Sequence, residues 1–136
     1  MSTFRVYYVT LSDADRTQVN EMGWGCPVGF AYMKATMGKG GEILVEDAIT
    51  YALYEEAAMM EAENLSDVWE NLQNMEVNWM DKPNIGCMTK FPRSMIVGDI
   101  IESVFQDYPS VYHVVLPYGF RPLSDDETMH LERMMK

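Results

Sequence analysis

Cysteine is scarce in this chain. Only Cys26 and Cys87 occur among 136 residues, far apart and in no paired motif. Two lone thiols exclude a disulfide-stapled scaffold and suit a reducing compartment. Basic residues are also few, 10 Lys and Arg against 21 Asp and Glu, for a formal net charge of −11. Such a surface repels phosphate backbones, which argues against direct DNA or RNA binding and leaves another protein as the expected partner. No apolar run reaches membrane-spanning length. The opening Met1-Ser2-Thr3-Phe4-Arg5-Val6-Tyr7-Tyr8-Val9 lacks the basic region and long apolar core of a signal peptide. The expectation is a cytoplasmic protein without membrane contact.

Site chemistry is equally sparse. His113 and His130 are the only histidines, and neither has Cys, Asp or Glu at metal-ligand spacing, so neither a metal nor a cofactor is expected. His113 reads as a core or strand-pairing residue, His130 as a solvent-facing one. Gly38-Lys39-Gly40-Gly41 lacks the Gly-Lys-Ser/Thr ending of a phosphate-binding loop and reads as a hairpin turn. The adjacent acids Glu55-Glu56 would point to opposite faces of a strand, and Asp125-Asp126 suits a helix start, so neither pair reads as an acid–base dyad. A Cys–His nucleophilic pair has no local support.

What the chain does have is apolar bulk. Hydrophobic residues make up 48% and aromatics 12%, enough for one packed domain of this length. Without repeats, low-complexity tracts or a linker, the whole of 1–136 reads as that domain. Thirteen methionines exceed ordinary usage; such side chains fill irregular gaps or form adaptable surfaces.

Taken in order, residues 4–11 alternate and are rich in Val, Tyr and Thr, predicting a first strand. Ser12 and Asp15 have capping-box spacing for a helix over 13–22, with Gly23 as its stop. Residues 24–29 read as loop, 30–37 as a second strand, and 42–45 as a strand returning from the glycine turn. Residues 46–63 satisfy two patterns. Ile49, Leu53, Ala57 and Met60 fall at helical spacing, while alternation from Tyr54 onward permits a strand. Asn64 or Ser66 caps a short helix to Asn74, and 81–84 is a turn. Residues 88–91 extend as an edge ahead of Pro92. Residues 111–116 predict a strand, 117–122 a bend, and Ser124 with Glu127 a capping box opening a C-terminal helix.

Turn chemistry and strand pattern meet at Arg93-Ser94-Met95-Ile96-Val97-Gly98-Asp99-Ile100-Ile101-Glu102. Gly98-Asp99 reads as a structural corner between two strands, with Gly98 at positive φ and Asp99 bonding its own neighbourhood. Here the chain resembles a family of small, mostly uncharacterised phage, plasmid and bacterial proteins, the YodL-like group associated with mobile elements. Its signature has the form R-S-x-S-V-G-D-V-I, then a strand and a Gly-Phe pair. It falls on Arg93 to Ile101 and on Gly119-Phe120, with Ile96 where the pattern has Ser. A looser upstream segment falls on Tyr54, Ala58, Ala62, Leu65, Val68, Trp69 and, shifted by one position, Asn74, with Trp79 beyond. The resemblance spans about half the chain and implies a strand rather than a helix over 54–62. It carries no established catalytic residues.

The expected fold is α+β, a mainly antiparallel curled sheet or half-barrel with two or three short helices on one side. Candidate binding residues are Arg93, a planar fork for carboxylate or phosphate, and its neighbour Ser94. Trp24, Tyr118 and Phe120 flank glycine-containing loops and either form an apolar contact patch or plug the ends of the barrel. Gly98, Asp99, Gly119 and Phe120 read as structural. The leading functional expectation is a non-enzymatic, acidic interaction module of a phage or mobile element, directed at a host protein such as a defence or nucleic-acid enzyme. DNA mimicry requires acids in a row, and these are scattered. A small enzyme or ligand-binding barrel with its pocket near Arg93 and Ser94 is one alternative, and an assembly protein is another.

Overall fold

The computed structural model describes residues 1–135. Its centre is an open six-stranded antiparallel sheet, ordered β3-β2-β1-β4-β5-β6. The strands are β1 (Ser2–Val9), β2 (Tyr54–Ala62), β3 (Ile85–Cys87), β4 (Ile100–Val104), β5 (Val111–Val115) and β6 (Phe120–Pro122). The helices are α1 (Asp13–Met22), α2 (Pro27–Thr36), α3 (Glu46–Thr50), α4 (Leu65–Asn71) and α5 (Asp125–Met135). The α+β class with a curled, unclosed sheet is therefore as expected. The sheet is covered differently, by five helices distributed over both faces.

Alternation along β1 shows why two faces are buried. Phe4, Val6 and Tyr8 pack on one side with Val68, Leu72 and Trp79, beneath α4 and the 3-10 turn Trp79–Asp81. Tyr7 and Val9 pack on the other with Ala31, Ala35, Ile49 and Leu131, beneath α2, α3 and α5. A strand buried on both faces loses the clean apolar–polar alternation of a half-exposed one. A sheet with one covered face was therefore the wrong template here.

Residues 30–36 are helical, not a strand, and Met37 caps that helix. Pro27 stands at the first helical position behind Cys26 as cap, where its missing N–H costs nothing and its fixed φ suits a helix. Val28, Ala31 and Ala35 then form the buried stripe. Residues 42–45 do not return as a strand either. A single bridge joins Lys39 to Glu42, and the Leu44 amide donates to the Lys34 carbonyl at the end of α2. Residues 88–91 form no strand; the edge lies earlier, at β3, paired with Ala58–Met60 of β2.

Of the two patterns in residues 46–63, the chain uses both in sequence. The helix stops at Thr50, and Ala52 takes φ of 55°, turning the chain into β2. The pairing Val6 with Ala58 and Tyr7 with Glu56 leaves Ala57 as an extra residue, a bulge that lets Ala57 and Ala58 both face inward. Helix propensities of a few tenths of a kcal/mol per residue yield here to ladder bonds on both sides. Both capping boxes form as read, Ser12 with Asp15 and Ser124 with Glu127. Asn64, rather than Ser66, caps α4.

Candidate functional site

The Gly98-Asp99 corner precedes one strand instead of joining two, because residues 93–97 form no regular element before β4 begins. Gly98 has φ of 96°, and a Cβ there would lie 2.3 Å from the Ala35 carbonyl oxygen, so the end of α2 rests against bare backbone. Its own carbonyl accepts from the Tyr54 hydroxyl at 2.7 Å.

Asp99 is fully buried and accepts four hydrogen bonds. Arg93 Nη1 and Nη2 each donate at 2.9 Å, the Ile96 amide at 2.8 Å and the Val9 amide at 2.9 Å. Arg93 Nη2 donates in turn to the Val9 carbonyl at 2.8 Å, and Nη1 to the Ser94 carbonyl. The guanidinium lies 4.0 Å from the centre of the Tyr8 ring, and the Arg93 carbonyl accepts from Tyr8 and Trp79. Burial pushes the Asp99 carboxyl above the ordinary aspartate range against the pull of Arg93 and the two amides. Burial lowers Arg93, but its bonds to Asp99 outweigh this and hold it firmly charged.

Ser94 is turned away from this pair. Its hydroxyl accepts from the Asn74 amide at 2.7 Å, while the Asn74 side chain donates to Pro92 and accepts from the Trp79 amide. Residues 93–98 thus contact the segment upstream of them through Tyr54, Asn74 and Trp79.

Arg93 and Trp24 do share a cavity of about 380 Å³, reached between α1, α2 and the end of β1. Tyr32 stacks near Trp24 with ring centres 6.0 Å apart, and Arg16 of α1 joins the lining. The fork that Arg93 could offer a ligand is already engaged by Asp99, Val9 and Ser94. The cleft's remaining cation is Arg16, which forms no ion pair among the described residues.

Tyr118 lies elsewhere. Pro117 and Gly119, the latter with φ of 80°, bend the chain between β5 and β6, and Leu116 donates to the Gly119 carbonyl across the turn. Tyr118 is 94% exposed at the tip. Beside it opens a groove of about 640 Å³ against Ile43 and Leu44, walled by Arg121 and Glu127. Beneath the same turn a hollow of about 390 Å³ lies against Trp69 and Phe120. Neither Tyr118 nor the half-buried Phe120 plugs a barrel end, since the sheet does not close.

No family model, curated protein or solved structure matches the chain.

A second polar cluster escaped the sequence reading. Buried Glu102 accepts from Arg5, Tyr7 and Ser110, tying β1 and β4 to the start of β5. Arg5 Nε lies 3.0 Å from Glu56 yet is off-line for a hydrogen bond, so that contact is ionic only. Burial first, then Glu102, pushes the Tyr7 phenol well up. These groups satisfy one another and leave little for a ligand. Arg16 escaped the sequence reading as well, although its spacing from Val19 and Asn20, three and four residues on, is a signal that places the three on one helix face. Among the described residues no three His, Cys, Asp or Glu side chains gather as a metal site. Among the described residues no helix is long and apolar enough to cross a membrane.

Proposed function

We propose that this protein is a non-enzymatic, acidic protein-interaction module, of the accessory kind that the mobile-element resemblance implies. The observation that carries the reading is Tyr118, an aromatic ring held in water at a hairpin tip between two hollows. Tyrosines and tryptophans at such positions are the usual anchors of protein interfaces, offering large area at small conformational cost. The net charge of −11 disfavours nucleic acid and speeds encounter with a basic protein surface, such as that of a host nucleic-acid enzyme. Affinity capture from host lysate across a salt series tests this. Discrete protein partners whose recovery falls with salt are expected; salt-indifferent recovery, or no partner, overturns the reading.

A ligand-binding reading has one observation in its favour, the convergence of Trp24, Tyr32 and Arg16 on the cleft beside Arg93. It calls for a planar, anionic small molecule stacked on Trp24. Quenching of tryptophan fluorescence by such compounds, lost in Arg16→Gln, is its test.

A further inference from the structure

Glu127, which walls the groove beside Tyr118, has a cavity on either side. On the far side of that residue a second hollow, about 480 Å³, runs along the first turns of α5 between Glu46, Asp126 and His130. Both hollows are lined by Glu127, so they lie side by side and can be taken together as a trough with unlike halves. Its first half is apolar, with Ile43, Leu44, Leu116 and Pro117 as floor and Tyr118 as lip. The second half is polar.

Charge along the trough is uneven. Glu127 is matched by Arg121, which contacts its two oxygens at 3.0 and 3.3 Å. Glu42, Glu46 and Asp126 form no ion pair among the described residues, and Arg133 is the one other cation lining the trough. An occupant therefore needs an apolar side chain for one half and a cation for the other. A second copy of this chain would bring another −11 of like charge, and a nucleic acid would bring phosphates.

We propose that the trough docks a basic segment of a partner protein, seating an apolar side chain against Leu44 and Tyr118 and a neighbouring Lys or Arg against Glu46 and Asp126. This rests on the interaction-module reading and specifies its partner.

The test selects a displayed library of random short peptides against the intact protein, then measures synthetic versions by fluorescence anisotropy. Selected peptides are expected to pair Lys or Arg with an apolar anchor. Tyr118→Ala should weaken them about tenfold or more, as an interface anchor does. Glu46→Gln with Asp126→Asn should weaken them and flatten their salt dependence. All three side chains are exposed, so melting temperature should hold and serves as the folding control. Selection of peptides without Lys or Arg overturns the proposal. So does binding indifferent to both variants, or a dimer that Tyr118→Ala dissolves. If lysate partners bind these variants as well as they bind the parent, the trough is refuted while the interaction reading stands. If the parent captures nothing, both fall.

Discussion

Arg93 and Asp99 together stand in for a missing length of strand. Pairing between β1 and β4 ends at Tyr7 and Ile100, two residues short of the end of β1. Beyond it, the Asp99 carboxylate takes the Val9 amide and the Arg93 guanidinium takes the Val9 carbonyl. A buried backbone N–H and C=O that a neighbouring strand would have satisfied are satisfied by two side chains. Arg93 is therefore first an architectural residue.

Breaking this pair on one side should be severe. Arg93→Met leaves a buried carboxylate uncompensated and is expected to cost about 3–5 kcal/mol in urea unfolding. Arg93→Lys should recover little, because a single ammonium cannot span both carboxylate oxygens and the Val9 carbonyl. Combining Arg93→Met with Asp99→Leu should cost less than the two separate losses added.

Gly98 and Gly119 both have positive φ but differ in surroundings. Gly98→Ala drives a methyl into the Ala35 carbonyl and should cost at least about 2 kcal/mol. Gly119→Ala meets nothing within 4 Å and should cost only the left-handed backbone penalty, about 1 kcal/mol. Chemical denaturation of the two variants separates close approach from conformation.

Ala52 carries the same left-handed strain without being glycine, with φ of 55°. Ala52→Gly relieves it while loosening the unfolded chain, for an expected net gain of about 0.5 kcal/mol in equilibrium unfolding.

Acidification should weaken the fold through His113. Burial lowers its pKa from 6.5, and its Nδ1 is buried without a partner. The unfolded chain therefore takes the proton first. Stability from this residue is complete above about pH 6.5 and is lost as pH falls through the lower folded value. His113→Gln should flatten the stability profile between about pH 7 and 5. Glu127, where Arg121 and Ser124 outweigh burial, also loses stability on acidification; Asp99, raised by burial, runs the opposite way. Both carboxylates are the same in parent and His113→Gln, so the difference between the two profiles isolates the histidine.

The chain by itself determined whatever closes within a few residues. Ser12 and Ser124 cap their helices because cap and third residue are neighbours, and Gly119 bends its turn for the same local reason. Net charge was equally a property of the sequence. Alternation in 54–62 was visible, though only pairing with β1 on one side and β3 on the other made it a strand. Tertiary structure decided the rest. Residues 30–37 carry enough apolar side chains for either element, and burial of Ala31 and Ala35 against the sheet selects the helix. Arg93 had the look of a ligand fork until the fold brought Val9 to it from 84 positions away. No local pattern encodes that encounter, because it depends on the register of strands whose partners lie far apart in sequence.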